Sequence, residues 1–137
     1  MPSAHAQNFR LGSATTSLTS TAPGAQSTYQ LACKLKNKVK AEITTSNTVT
    51  YTFPAGTNCT TITAISFYGS AVSLSDPNTV ITATSVKFMS PVHVPQNATF
   101  TGILAGITNP LTPGAYRASI STQNSSSGTN SGANIFA

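Results

Sequence analysis

Apolar and polar residues alternate from Tyr29 onward. Tyr29, Leu31, Cys33 and Leu35 are interleaved with Gln30, Ala32, Lys34 and Lys36. A period of two sends the two sets to opposite faces of a β-strand. The alternation resumes as Val39, Ala41 and Ile43 against Lys38, Lys40 and Glu42, and Asn37 on the apolar parity predicts a bend or bulge. Short strands follow. Val49, Tyr51 and Phe53 stop at Pro54-Ala55-Gly56, and Ile62 to Phe67 breaks at Tyr68-Gly69. Val72 and Leu74 precede the turn signal Asp76-Pro77-Asn78, then come Val80 to Ala83 and Val86 to Phe88. Pro91 and Pro95 bracket Val92-His93-Val94. Ala98, Phe100, Gly102 and Leu104 alternate, and after Asn109-Pro110 and Pro113-Gly114 so do Tyr116, Ala118 and Ile120. No stretch shows helical spacing. Short strands with turn signals at intervals of roughly 8–12 residues predict an all-β antiparallel sandwich of about seven to nine strands. Its expected core is Leu31, Leu35, Val49, Tyr51, Phe53, Ile62, Phe100, Leu104, Tyr116 and Ile120.

The ends read differently. Residues 1–27 are rich in Ser, Thr, Ala and Gly and read as an extended arm or leader remnant; residues 28–122 form the sandwich. Residues 123–137 form a flexible Ser/Gly/Asn-rich tail that ends on Ile135-Phe136-Ala137.

Composition sets the environment. Ser and Thr account for 41 of the 137 residues and only 7% are charged, against roughly 25% in ordinary soluble domains. No run approaches the ~18 apolar residues of a membrane-spanning helix. The net charge is +5, and four of the seven basic residues form one stripe, Lys34, Lys36, Lys38 and Lys40. Few arginines and no tryptophan argue against nucleic acid as a partner. The stripe reads first as protection of an exposed strand edge and second as a contact for acidic surface glycans or anionic envelope polymers. Cys33 and Cys59 read either as one disulfide or as two separate buried thiols, and a chain outside the cytosol favours the disulfide. Ala4-His5-Ala6 before Gln7 looks like the small-x-small end of a secretory signal. Asn58, Asn97 and Asn124 head Asn-x-Ser/Thr triplets that permit glycosylation. Together these predict a secreted, extracellular or cell-surface protein.

Two blocks carry a resemblance. NTVTYTFPAGT at Asn47–Thr57 and VPQNATFTGILAGITNPLTPGAYRASISTQ at Val94–Gln123 resemble an Ig-like module of secreted and cell-surface proteins, of the kind found in surface stalks, adhesins and filament subunits. The resemblance runs from Ala41 to Gln123. It implies an Ig-like sandwich with a structural role, and it transfers no catalytic residue. Surface modules of this kind also form Lys–Asn isopeptide bonds; here Lys34 to Lys40, Asn109 or Asn124, and Glu42 would supply the groups, but the lysines fall on the polar parity.

Enzyme chemistry has little to draw on. Glu42 and Asp76 are the only carboxylates and His5 and His93 the only histidines, and no G-x-S-x-G elbow is present. No enzyme, cofactor or metal site is expected. A sandwich lacking one strand can accept a neighbour's arm along its edge. Residues 8–20, anchored by Phe9 and Leu11, are the first candidate donor; Ile135 and Phe136 are the second. The expected function is therefore a subunit of a pilus-like or other surface filament, a head-to-tail homopolymer. The alternative is a monomeric surface adhesion or carbohydrate-binding module.

Overall fold

The computed structural model describes residues 15–34, 43–95, 98–112, 114–122 and 131–135. Ten strands run through them: β1 (Thr15–Leu18), β2 (Gln26–Lys34), β3 (Thr48–Thr52), β4 (Ala64–Phe67), β5 (Ser70–Val72), β6 (Val80–Ile81), β7 (Ser85–Met89), β8 (Thr99–Thr108), β9 (Gly114–Thr122) and β10 (Ser131–Ile135). They form two five-stranded antiparallel sheets, ordered β1-β2-β8-β4-β5 and β10-β9-β3-β7-β6. The all-β class read from the alternation is the class observed. The strand number exceeds the expected one because both chain ends add a strand.

The alternation does what a period of two requires. In β2, Ser27, Tyr29, Leu31 and Cys33 are buried while Gln26, Gln30 and Lys34 are exposed. Their partners on β8 are Leu104 opposite Tyr29, Gly102 opposite Leu31 and Phe100 opposite Cys33. The inner face of the second sheet supplies Val49 and Tyr51 from β3, Val86 and Phe88 from β7, and Ala118 and Ile120 from β9. The sheets meet through aromatic rings. Phe67 lies edge-on to Phe88 at 5.5 Å and tilted against Phe100 at 5.3 Å, and Tyr51 stacks on Phe88 at 6.1 Å. Such geometries add to the area term of burial.

One break in the alternation is built into β8. Opposite the Ser27–Thr28 step the register shifts, leaving Gly106 as an extra residue at φ +94°. A Cβ at Gly106 would stand 2.9 Å from the Thr61 carbonyl oxygen and 3.1 Å from the Thr63 nitrogen. The bulge therefore needs glycine both for its dihedral and for backbone approach. It restores Ile107 to the core.

Of the expected core, Leu31, Val49, Tyr51, Phe53, Ile62, Phe100, Leu104 and Ile120 are buried. Leu35 and the Tyr116 side chain lie outside what is described. Phe67, Phe88, Ile43 and Val94 join the core as well, the last two through an isolated bridge between Ile43 and Val94. The ends depart most from expectation. The segment read as an arm supplies β1 and the first residues of β2, and Ser131–Ile135 of the segment read as a flexible tail is β10. Main-chain pairing at a free sheet edge supplies the hydrogen bonds of these strands. Thr, Ser and Gly side chains leave little alternation to betray them.

Candidate functional site

The first and last strands of the described chain are both edge strands. β1 pairs only with β2, Thr15 opposite Ala32 through Leu18 opposite Tyr29. β10 pairs only with β9, Ser131 opposite Ala118 through Ile135 opposite Gly114. β1 also lies alongside β10, so the first and last described strands share one margin. Leu18 packs against the core. Ser17 donates to Gln30 on the outer face at 3.4 Å.

A polar node centred on the buried Asn109 pins the loop that joins β1 to β2. Asn109 is only 1% exposed. Its Oδ1 accepts from the Tyr29 hydroxyl at 2.5 Å, and its Nδ2 donates to the carbonyls of Ser20 and Ala22, each at 2.9 Å. Its backbone nitrogen donates to the Ala25 carbonyl at 2.9 Å, and Gly24 donates to the Pro110 carbonyl at 3.1 Å. In the sequence Asn109-Pro110 reads as a turn signal. The inward role of Asn109 rests on Tyr29, far away in the chain, and no local pattern signals that. The same node takes Asn109 out of isopeptide chemistry. Its side chain is occupied, and Lys34 stands at the opposite end of β2, opposite Thr99.

The expected disulfide does not form: Cys33 and Cys59 are both buried and no bond joins them. Cys33 sits opposite Phe100 at one end of β8, while Asn58, next to Cys59, bridges Thr108 at the other end. That span of β8 is roughly 25 Å at ~3.3 Å per residue, far beyond the ~7 Å Cα limit for a bridge. The two separate buried thiols of the other reading are what the fold holds. Burial pushes the Cys59 thiol up to about 12. Burial, and behind it the charge of a Cys59 thiolate, also lifts the Tyr29 phenol well above its usual range. Neither thiol should react with an alkylating reagent at pH 8 in the native protein, and both should react after unfolding; mass spectrometry reads the adducts. The pH dependence has a definite sign. Cys59 ionises from about 9 in the unfolded chain and about 12 in the fold. Its contribution is intact below pH 9 and lost as pH climbs from 9 toward 12, in the same direction as the tyrosines. The melting temperature should fall across that window, and Cys59→Ser should flatten the fall.

The remaining candidates scatter. Phe9, Leu11, Phe136, Lys36, Lys38, Lys40, Asn97 and Asn124 lie outside the described residues, and for Ile135 only the backbone, at the end of β10, is described. Lys34 is exposed at the end of β2. The Asn58 side chain caps a 3-10 turn at Cys59–Thr61, accepting from the Thr60 nitrogen at 3.0 Å. His93 is exposed, and Asp76 accepts from the Asn78 nitrogen at 2.7 Å in a turn of its own. Among the described residues, no group of three His, Cys, Asp or Glu stands close enough to hold a metal ion. No helix among them is long and apolar enough to cross a membrane.

The chain thus belongs to the all-β class with two antiparallel sheets. No known protein family matches it, and no curated protein does. Among solved structures it is similar to the crystal structure of BslA, described as a bacterial hydrophobin. The TM-score is 0.58 and the identity 14%, over 92% of this chain and 98% of that one. At that identity the likeness speaks for the fold.

Proposed function

We propose that the chain is an extracellular structural protein, an Ig-like sandwich whose copies assemble into a surface filament or coat by exchanging a terminal strand. The observation that carries the reading is the pairing of β1: a four-residue strand at the N-terminal end, bonded on one side only, with Leu18 against the core. A second copy's β1 can make the same register with β2. Exchange then conserves every pairing, and a swap that does not close on itself propagates as a filament. β10, carrying Ile135, is the second exchangeable strand at the same margin. Sparse charge and the likeness to a hydrophobin structure support a place at a surface. A second reading, a monomeric surface adhesion module, is favoured by the pairing of every described strand within one chain.

A cross-link separates the two. Ser17 and Gln30 face each other across β1 and β2, at a spacing a disulfide can bridge. Ser17→Cys with Gln30→Cys, oxidised in the assembled state, should give a covalent ladder on a non-reducing gel. Only monomer with an internal bridge would overturn exchange through β1 and leave the adhesion module standing.

A further inference from the structure

We propose that the outer face of the first sheet carries a binding site for a neutral polysaccharide, centred on the Gly106 bulge. This goes beyond the assembly reading and does not depend on it. Beside the bulge lies a shallow, open depression of about 240 Å³ lined by Thr19, Gln26, Thr28, Thr63, Ala105 and Gly106, with Ser27 behind them. That is below the roughly 300 Å³ at which drug-sized pockets begin, so it takes a single ring.

Three properties point to a hydroxylated, uncharged ligand. The first is rigidity. The Thr63 nitrogen donates to the Ala105 carbonyl at 2.7 Å, and the Thr61 hydroxyl reaches the Gly106 carbonyl. On the other side the Thr28 nitrogen donates to Thr19 Oγ1 at 2.9 Å, and Ser20 donates to Ser27 Oγ at 3.0 Å. The walls are therefore formed before a ligand arrives, which reduces the ordering a ligand must impose. The second is open hydrogen-bonding capacity. The Gln26 amide and the Thr28 hydroxyl bond to nothing among the described residues. An amide and a hydroxyl both donate and accept, and this matches the alternating demands of sugar hydroxyls.

The third is charge. The chain carries a net +5, yet the concavity has no charged lining residue. Among the described residues the nearest charge along β2 is Lys34, eight positions from Gln26, or roughly 27 Å at strand rise. An anionic polymer would find no partner there. A neutral one meets no unpaired charge to desolvate. The same face continues uncharged through a row in register, Ser17, Gln30, Ile103 and Ser66. A chain seated at the bulge can therefore extend across the sheet.

The test uses the full unaltered chain, at a dilution where sedimentation shows only monomer, so that strand exchange can neither mask nor mimic binding. Amide chemical shifts are followed on adding cello-oligosaccharide, chito-oligosaccharide and dextran, with polygalacturonate as the anionic comparison. The expected result is shifts confined to Thr19, Gln26 to Thr28, Thr63, Ala105 and Gly106 with at least one neutral glycan. Thr28→Val should keep the spectrum of a folded protein and weaken that binding about tenfold, the worth of one hydrogen bond. Three outcomes would overturn the proposal. One is no shift with any neutral glycan at grams per litre, and another is equal binding by Thr28→Val. The third is binding to polygalacturonate alone that salt abolishes, which would move the contact to the lysines.

Discussion

Gly102→Ala should lower the stability of this protein by about 3 kcal/mol, the upper part of the usual range for overpacking a core. For a domain of this size that corresponds to a fall of about 10 °C in melting temperature. Gly102 lies on the inward parity of β8, between Phe100 and Leu104. The Tyr51 ring crosses from the other sheet and occupies the space where a side chain would stand. A Cβ at Gly102 would come within 2.6 Å of Tyr51 Cζ and still nearer its hydroxyl. Tyr51 has no slack, being fully buried and stacked on Phe88. Its hydroxyl is the one buried polar side-chain atom without a hydrogen-bond partner among those described. Tyr51→Phe alone should therefore stabilise by about 1 kcal/mol, since an unpaired buried hydroxyl is a standing penalty. Combining the two should recover part of the loss and no more, because the ring carbon is still too near. The signature is coupling in a double-mutant cycle read by thermal and urea unfolding. If Gly102→Ala melts within a degree of the parent, the packing of the two sheets described above is wrong.

The same pair of residues shows what a sequence can and cannot disclose. Gly102 fell on the apolar parity of an alternating run, so its inward face was legible. Its reason for being glycine was not, because that reason is Tyr51, on a strand of the other sheet. Period two reports which face a residue takes; it does not report which strand lies across from it. The same limit explains the ends. Leu18 is the sole large apolar residue of β1, too little for a pattern, and β10 is drawn from Ser, Gly, Ala and Asn before Ile135. Both strands exist because β2 and β9 have edges to cover. The cysteines fail in the opposite direction. Two cysteines in a chain of this composition suggest a bridge, and only the register of β8 reveals that they occupy opposite ends of the sheet. The bulge site was illegible for a further reason. Gly106 is one glycine among nine, and its meaning rests on Thr61 and Thr63 reaching it from the segment before β4.

Asn109→Ala should be the second severe variant, and it bears on assembly as well as stability. The change leaves the buried Tyr29 hydroxyl without its partner and takes the amide donor from the part-buried bonds to the Ser20 and Ala22 carbonyls. Leaving such groups unpaired costs about 1–3 kcal/mol each before relaxation or water entry, so a loss of about 3 kcal/mol is expected. Tyr29→Phe removes one partner only, and its ring keeps its edge contact with Phe53 at 5.5 Å. It should cost about 1 kcal/mol. The node holds residues 20 and 22, which lie in the hinge that any exchange of β1 must open. β1 itself is short, half-exposed and bonded on one side. The barrier to its release therefore sits mostly in the hinge. Mixing fluorescently labelled and unlabelled copies and following energy transfer reads the exchange rate directly. Asn109→Ala should exchange at least tenfold faster than the parent, and Tyr29→Phe should fall between them, in the order of their stability losses. If all three exchange at one rate while their stabilities differ as stated, β1 is not the strand that moves. The exchanging element would then be β10, whose pairing with β9 the Asn109 node does not touch.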